Sequence, residues 1–212
     1  NELKEKATEY IVQQRSLVSN VDELEDLVPA NKFVFGRGVF SVDEEVDGVV
    51  RRVPLVMWIE GVIKPTLSLE ILRVGLQGDS ILTRIGHGGV QNIQIAVPDP
   101  KTKKRNTFVI PTDGKGKVWV YFAEPDKFNM PNNEGRWYIS ASDIINKRVP
   151  VDRLRGKLAI VGTSSVGLVD IRATPIAPRL PGVEVHANLL ESIWTRNFIS
   201  YPVENAGFAM MM

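Results

Sequence analysis

Two serines, an aspartate and a histidine follow one another in the stretch "VGTSSVGLVDIRATPIAPRLPGVEVHANLL", which runs from residue 161 to residue 190. Ser164 or Ser165, then Asp170, then His186 is the chain order of nucleophile, acid and base in an α/β-hydrolase. The nucleophile of that fold sits in a G-x-S-x-G turn that leads directly into a helix. Neither serine has glycine on both sides at this spacing, and prolines interrupt the residues that follow. A serine hydrolase is therefore the disfavoured alternative, and no residue is predicted to be catalytic.

The connection from Gly162 to Pro181 has no regular pattern, and connections of this length are usually functional or held in place by side chains. Asp170 and Arg172 lie two positions apart, so they share one side of an extended segment. In one interpretation they are polar struts that tie the connection to the end of the preceding strand. In the other, backbone N–H groups and nearby side chains line a small polar binding site. The candidate ligand-binding residues are Ser164, Ser165, Asp170, Arg172, Thr174 and His186.

His186 lies in an amphipathic run, residues 182–197, that predicts a helix. Val185, Leu189 and Ile193 recur at spacing four and form the expected buried stripe, with His186 at its edge. A histidine in this position usually packs its ring and makes one hydrogen bond to a loop. Ligand contact and pH sensing remain as alternatives.

Composition excludes several classes of chemistry. The chain has 212 residues, 43% hydrophobic and 24% charged, which is ordinary for a globular domain. Its net charge of +1 gives no global field that would select nucleic acid or an anionic membrane. The absence of cysteine excludes disulfides and thiolate catalysis, and two histidines make a multi-histidine metal site improbable. No metal and no cofactor are predicted.

Periodicity and turn signals predict alternating helices and strands. The predicted helices span residues 2–18, 19–28, 64–78, 140–150 and 182–197. The predicted strands span residues 32–40, 49–59, 92–98, 106–111, 117–124 and 156–162. Pro54 indicates an edge or a bulge, and the run "GHGG" at 86–89 indicates a turn. The strands at 92–98 and 106–111 are predicted to form a hairpin with a basic tip, Lys101, Lys103, Lys104 and Arg105. We expect this tip to be solvated, and the alternative is that it attracts an anion or a lipid headgroup.

These elements indicate a single mixed α/β domain over residues 1–202. We expect a central sheet containing hairpins, flanking helices, and a C-terminal strand–loop–helix unit. The helical character of residues 1–30 is part of this expectation. Residues 203–212 form an apolar tail, which is either a frayed end or the beginning of a longer apolar segment.

Several stretches of the sequence resemble the CHASE-two family. They are "DGVVRRVPLV" at 47–56, "KPTLSLEILR" at 64–73, "LRGKLAIVGTSSVGLVDIRATPIAPRLPGVEVHANLLESI" at 154–193, and a closing "ISYP". The resemblance covers roughly residues 30–202, and the block at 154–193 is its most specific part. The matching positions there are Gly162, Thr163, Asp170, Arg172, Thr174, Pro175, Pro181, Gly182, Val183, His186 and Asn188.

The resemblance implies an extracytoplasmic, non-enzymatic sensory domain of a bacterial membrane receptor. Transmembrane helices would flank the domain, with residues 203–212 leading toward one of them. The cytoplasmic output would be an adenylate or guanylate cyclase or a protein kinase. The expected partners are a small-molecule or periplasmic signal and a second copy of the receptor, with no nucleic acid. The alternative within this class is a structural or dimerisation module that binds no ligand.

The beginning of the chain departs from the family pattern. Such domains usually open with an apolar strand, whereas residues 2–18 have the composition of a helix. Either the strand precedes the sequence given, or this member differs.

Overall fold

The computed structural model describes residues 9–14, 35–102, 104–123, 138–163 and 170–199. The helices that lie wholly within these ranges are α1 (Leu67–Gly75), α2 (Ala141–Ile145), α3 (Gly182–Trp194) and a 3-10 helix (Val151–Arg153). The strands are β1 (Gln13–Gln14), β2 (Arg52–Pro54), β3 (Val56–Ile59), β4 (Val62–Pro65), β5 (Ser80–Gly86), β6 (Gly89–Pro98), β7 (Arg105–Pro111), β8 (Lys117–Trp119), β9 (Ile171–Arg172) and β10 (Leu180–Pro181). The mixed α/β class is confirmed.

These strands form four small sheets. The orders are β1-β3-β4, β2-β8, β5-β6-β7 and β9-β10, and every pair is antiparallel except β1 with β3. The predicted hairpin of residues 92–98 and 106–111 is confirmed as β6 and β7. Strand β5, which the periodicity did not reveal, pairs with β6 across the predicted turn at 86–89.

The run from Val49 to Ile59 is divided as Pro54 predicts. Strand β2 ends at Pro54 and pairs with β8, whereas β3 begins two residues later and pairs with β4. Leu55 between them donates its N–H to the Gly116 carbonyl and accepts from the Thr66 N–H. Because proline cannot donate to a ladder, the chain changes sheets at this position.

The core lies between the sheets and the helices α1 and α3. The predicted stripe of α3 is confirmed, because Val185, Leu189 and Ile193 are all fully buried. The glycines predict an end of this helix at Gly75 or Gly78, and α1 ends at Gly75. Its predicted buried face consists of Leu67, Ile71, Leu72 and Val74. Of these four residues only Leu72 is fully buried, together with Leu69, while the other three are half-buried.

Two predicted elements are wrong where the structure describes them. Residues 13–14 form strand β1 instead of continuing a helix, because Ile11 is buried and the Val12 carbonyl accepts the Trp58 N–H. Tertiary pairing overrides helix propensity here. Residues 156–162, predicted as a buried strand, pair with no described strand and are mostly exposed.

Two further predicted elements are described by the structure only in part or not at all. Within the predicted strand at 32–40, the described residues form a single bridge, Val39 with Thr66. The predicted helix at 19–28 lies outside the described residues. None of the helices in the described ranges is both long enough and apolar enough to cross a bilayer.

Candidate functional site

The long connection before α3 ends in a short hairpin that leads directly into the helix. Arg172 pairs with Leu180 and Ile171 with Pro181, and the next residue, Gly182, begins α3. The Gly182 N–H donates to the Asp170 carbonyl at 2.8 Å. The Val50 N–H donates to the Ala173 carbonyl, also at 2.8 Å, which ties the hairpin to the rest of the fold. A shift of this hairpin would therefore move the first turn of α3.

The carboxylate of Asp170 lies against the first residue of α3. A Cβ atom at Gly182 would stand 2.5 Å from Asp170 Cγ, so glycine is required by this close approach. The unpaired N–H groups at a helix N-terminus carry partial positive charge and favour a carboxylate nearby. The site that an anionic ligand would prefer is thus already occupied by a side chain of the protein.

Arg172 is held between two carboxylates. Its Nη1 donates to Glu44 Oε1 at 2.7 Å, and its Nη2 lies 3.2 Å from Asp170 Oδ1. Its Nε is buried and has no hydrogen-bond partner among the described residues. Asp170 and Arg172 are polar struts, but the partner outside the connection is Glu44 instead of the end of the preceding strand. The Arg172 side chain is partly exposed, and a ligand carboxylate or phosphate in the place of Glu44 would meet its guanidinium.

Glu44 belongs to a run of three acids, each of which pairs with a different strand. Asp43 pairs with Lys117 of β8, and Glu45 accepts two hydrogen bonds from Arg52 of β2. Hydrogen bonding to the Arg52 guanidinium lowers the pKa of Glu45 despite its partial burial. The sequence offers the "DEE" run as a signal, but two of its three partners, Lys117 and Arg172, are distant along the chain.

Thr174 has a local structural role. Its hydroxyl donates to the Ala177 carbonyl at 3.0 Å and accepts from the Ala177 N–H at 3.2 Å. The backbone N–H of Thr174 also donates to Ala177, which closes a tight turn around Pro175 and Ile176. Thr174 is buried, and its hydroxyl is engaged within this turn. Its role is therefore to form the turn, and it does not join the ion pairs of Arg172.

His186 connects three parts of the fold. Its Nε2 lies 3.1 Å from the Phe40 carbonyl, and its Nδ1 lies 2.8 Å from Ser68 Oγ on α1. A carbonyl can only accept, so Nε2 carries the proton and Nδ1 accepts from the Ser68 hydroxyl. Burial lowers the pKa of His186, so the neutral ring is favoured. The structural interpretation of this histidine is supported.

This bonding removes the histidine from hydrolytic chemistry. Both ring nitrogens are engaged, one of them with a backbone carbonyl instead of the carboxylate of a triad. The serine that contacts the ring is Ser68, which is fully buried and cannot reach a substrate. Ser164 and Ser165 lie outside the described residues.

Two polar residues of α3 that the periodicity did not select anchor a neighbouring segment. Asn188 Oδ1 accepts the Ala123 N–H at 2.8 Å, and Ser192 Oγ accepts the Tyr121 N–H at 3.0 Å. Asn188 also donates to the Glu184 carbonyl. Both side chains are buried, so they replace water as partners of the strand end after β8.

The first turn of α3 also receives two contacts from residues 138–163. A Cβ atom at Gly162 would stand 2.6 Å from the Cβ of Val183, so the backbone approaches the helix closely there. Tyr138 makes a side-chain hydrogen bond with Glu184, and burial is the main cause that raises the pKa of both groups. The start of α3 is thus contacted from the hairpin and from this second segment.

The described part of the chain is thus a fold of small sheets in which buried polar contacts hold the last helix. Comparison with family models gives a match to the CHASE2 domain over residues 3–211. The chain belongs to this family of extracellular sensory domains, which are found in receptors with cyclase or kinase outputs. The comparisons with curated proteins and with solved structures find no significant match.

Proposed function

We propose that this domain is the signal-input part of a bacterial transmembrane receptor and passes a signal to a cytoplasmic cyclase or protein kinase. The domain lies outside the membrane, functions as a homodimer, and responds to a small molecule or another periplasmic signal. The family membership supports the sensory role. The direct connection from the β9–β10 hairpin into α3 is the observation that supports the route of the signal.

The proposed input is a change in the contacts of Arg172. Glu44 is partly exposed and can be exchanged for an anionic group of a ligand, whereas Asp170 is held against Gly182. Exchange at Arg172 would move Asp170 and, through the hairpin, the start of α3. The helix then presents the following chain in a second arrangement. A ligand drives this change only if it binds the two arrangements with different affinity.

The test is the output of the full-length receptor with Glu44→Gln or Arg172→Gln. Each substitution breaks the exchangeable pair, so we expect the basal output to shift and the signal response to weaken. The matched control is Asp79→Asn or Arg105→Gln, which breaks another exposed ion pair, beside the β5-β6-β7 sheet and away from the hairpin. Equal effects of the two pairs, or no effect of either, would contradict the proposed route.

A ligand-free structural module is the second candidate. The observation in its favour is that the Arg172 guanidinium already has two carboxylate partners. In that case Glu44→Gln would lower the stability of the isolated chain by no more than about 1 kcal/mol and leave the response of the receptor unchanged. Thermal unfolding together with receptor output separates the two candidates.

A further inference from the structure

Residues 138–163, which we call the 138–163 strip, form a surface segment unlike the rest of the fold. Helix α2 within it has no buried residue, and the segment after the 3-10 helix pairs with no described strand. Bulky aliphatic side chains nevertheless occur along it. The exposed ones, with their exposed fractions, are Ile144 at 43%, Ile145 at 78%, Val151 at 66%, Leu158 at 44% and Val161 at 93%.

The strip is also basic. It has five lysines and arginines and two aspartates, a net charge of +3 in a chain whose total is +1. Both aspartates are already engaged inside the strip, Asp143 with Arg148 and Asp152 with Arg155. Lys147 and Lys157 are exposed beside the aliphatic side chains. The surface therefore combines positive charge with aliphatic groups.

This combination selects the chemistry of the partner. Two copies of the strip would bring like charges together, so a symmetric contact through this face is opposed by repulsion. An anionic lipid surface complements both properties, because lysines attract the headgroups while aliphatic side chains enter the headgroup region. We propose that the 138–163 strip docks onto an anionic phospholipid membrane.

The proposal deepens the proposed function, on which it rests for the presence of a membrane beside the domain. Both ends of the strip contact the first turn of α3. Tyr138 forms a hydrogen bond with Glu184, and Gly162 lies against Val183. In between, Leu158 lies against Gly75 at the end of α1. Docking would therefore act on the same helix that the hairpin reaches.

The test uses the whole 212-residue chain and vesicles of phosphatidylcholine, with and without phosphatidylglycerol. We expect the chain to sediment with the anionic vesicles, and we expect added salt to weaken this binding. Lys147→Glu with Lys157→Glu should lower the partition coefficient at least roughly twentyfold. Ile145→Ser with Val161→Ser should lower it about tenfold, because the aliphatic groups no longer leave water. All four residues are exposed, so these variants should fold, which circular dichroism verifies.

The matched control is Lys101→Glu with Lys104→Glu, the same charge change on the exposed tip between β6 and β7. It should change the partition coefficient by less than about twofold, since charges outside the contact are screened. Four results would overturn the proposal. The first is no binding to anionic vesicles, and the second is an equal loss of binding in the control. The third is no effect of the serine variants, which would indicate that the strip binds a soluble polyanion. The fourth is a stable dimer that the serine variants dissociate. Vesicle binding as expected, together with a receptor output that Glu44→Gln and Arg172→Gln leave unchanged, would instead contradict only the proposed function.

Discussion

Helix α3 and the 138–163 strip have similar aliphatic side chains and opposite environments. In α3, nine residues are buried, including the polar residues Glu184, His186, Asn188 and Ser192, and each of these four has a hydrogen-bond partner. In the strip, five large aliphatic side chains are exposed, while Ile160 packs against the core. The difference shows that α3 is fixed by buried contacts, whereas the strip leaves much of its apolar surface in water.

Substitution of a core leucine should reveal this contrast most strongly. Leu189→Ala empties space in the core beside α1 and should lower the free energy of unfolding by about 2–5 kcal/mol. Val161→Ala in the strip should lower it by less than about 0.5 kcal/mol, because that side chain is already in water. Urea denaturation measures both. Similar losses for the two variants would mean that the strip is packed like the core.

Asn188→Ala tests the polar contacts of α3. The Ala123 N–H loses its acceptor inside the protein, and an unsatisfied buried donor costs about 1–3 kcal/mol. We expect loss of stability together with faster hydrogen exchange at Ala123. Asn146→Ala is the control, because that side chain bonds only to exposed Ser142 on α2. Unchanged exchange at Ala123 would refute the anchoring role.

Gly182→Ala tests the approach of Asp170 to the helix. Alanine is the better helix former by up to about 1 kcal/mol, but its Cβ would collide with the carboxylate. We expect a net loss of about 1–2 kcal/mol from the forced displacement. Asp170→Ala in the same chain should recover most of the loss, and a double-mutant cycle measures the coupling. A stabilised single variant would show that the contact is not tight.

His186 should give the smallest effect, a pH dependence of stability. Burial lowers its pKa in the folded protein below the ordinary value of 6.5, so the unfolded chain binds the proton first. The stability from the neutral ring is present above about pH 6.5 and is lost as the pH falls toward the folded pKa, by at most about 1.4 kcal/mol per pH unit. Denaturation of the wild-type chain and of His186→Gln at several pH values checks this. Identical pH profiles would exclude the histidine as their cause. Among charged side chains, Asp170 favours the protonated ring and Arg172 opposes it.

Local patterns predicted much of the fold. The stripe of α3, the β6–β7 hairpin and the break at Pro54 all follow from short-range periodicity or from proline stereochemistry. Strand β5 was not predicted, because only its pairing with β6 in the folded protein identifies this segment as a strand. The predicted strand at 156–162 was wrong because an apolar run indicates burial but does not identify a partner.

The candidate site, like the fold, was predicted only in part from the sequence. The sequence by itself determined that Asp170 and Arg172 share a side, that His186 edges the buried stripe of the last helix, and which family the chain resembles. Only the tertiary structure decided that Arg172 meets Glu44, that His186 bonds to Ser68 and Phe40, and that Asp170 requires glycine at position 182. Residues 44 and 172, like 68 and 186, are more than one hundred positions apart. Such contacts depend on how the sheets and helices pack, which no local spacing encodes.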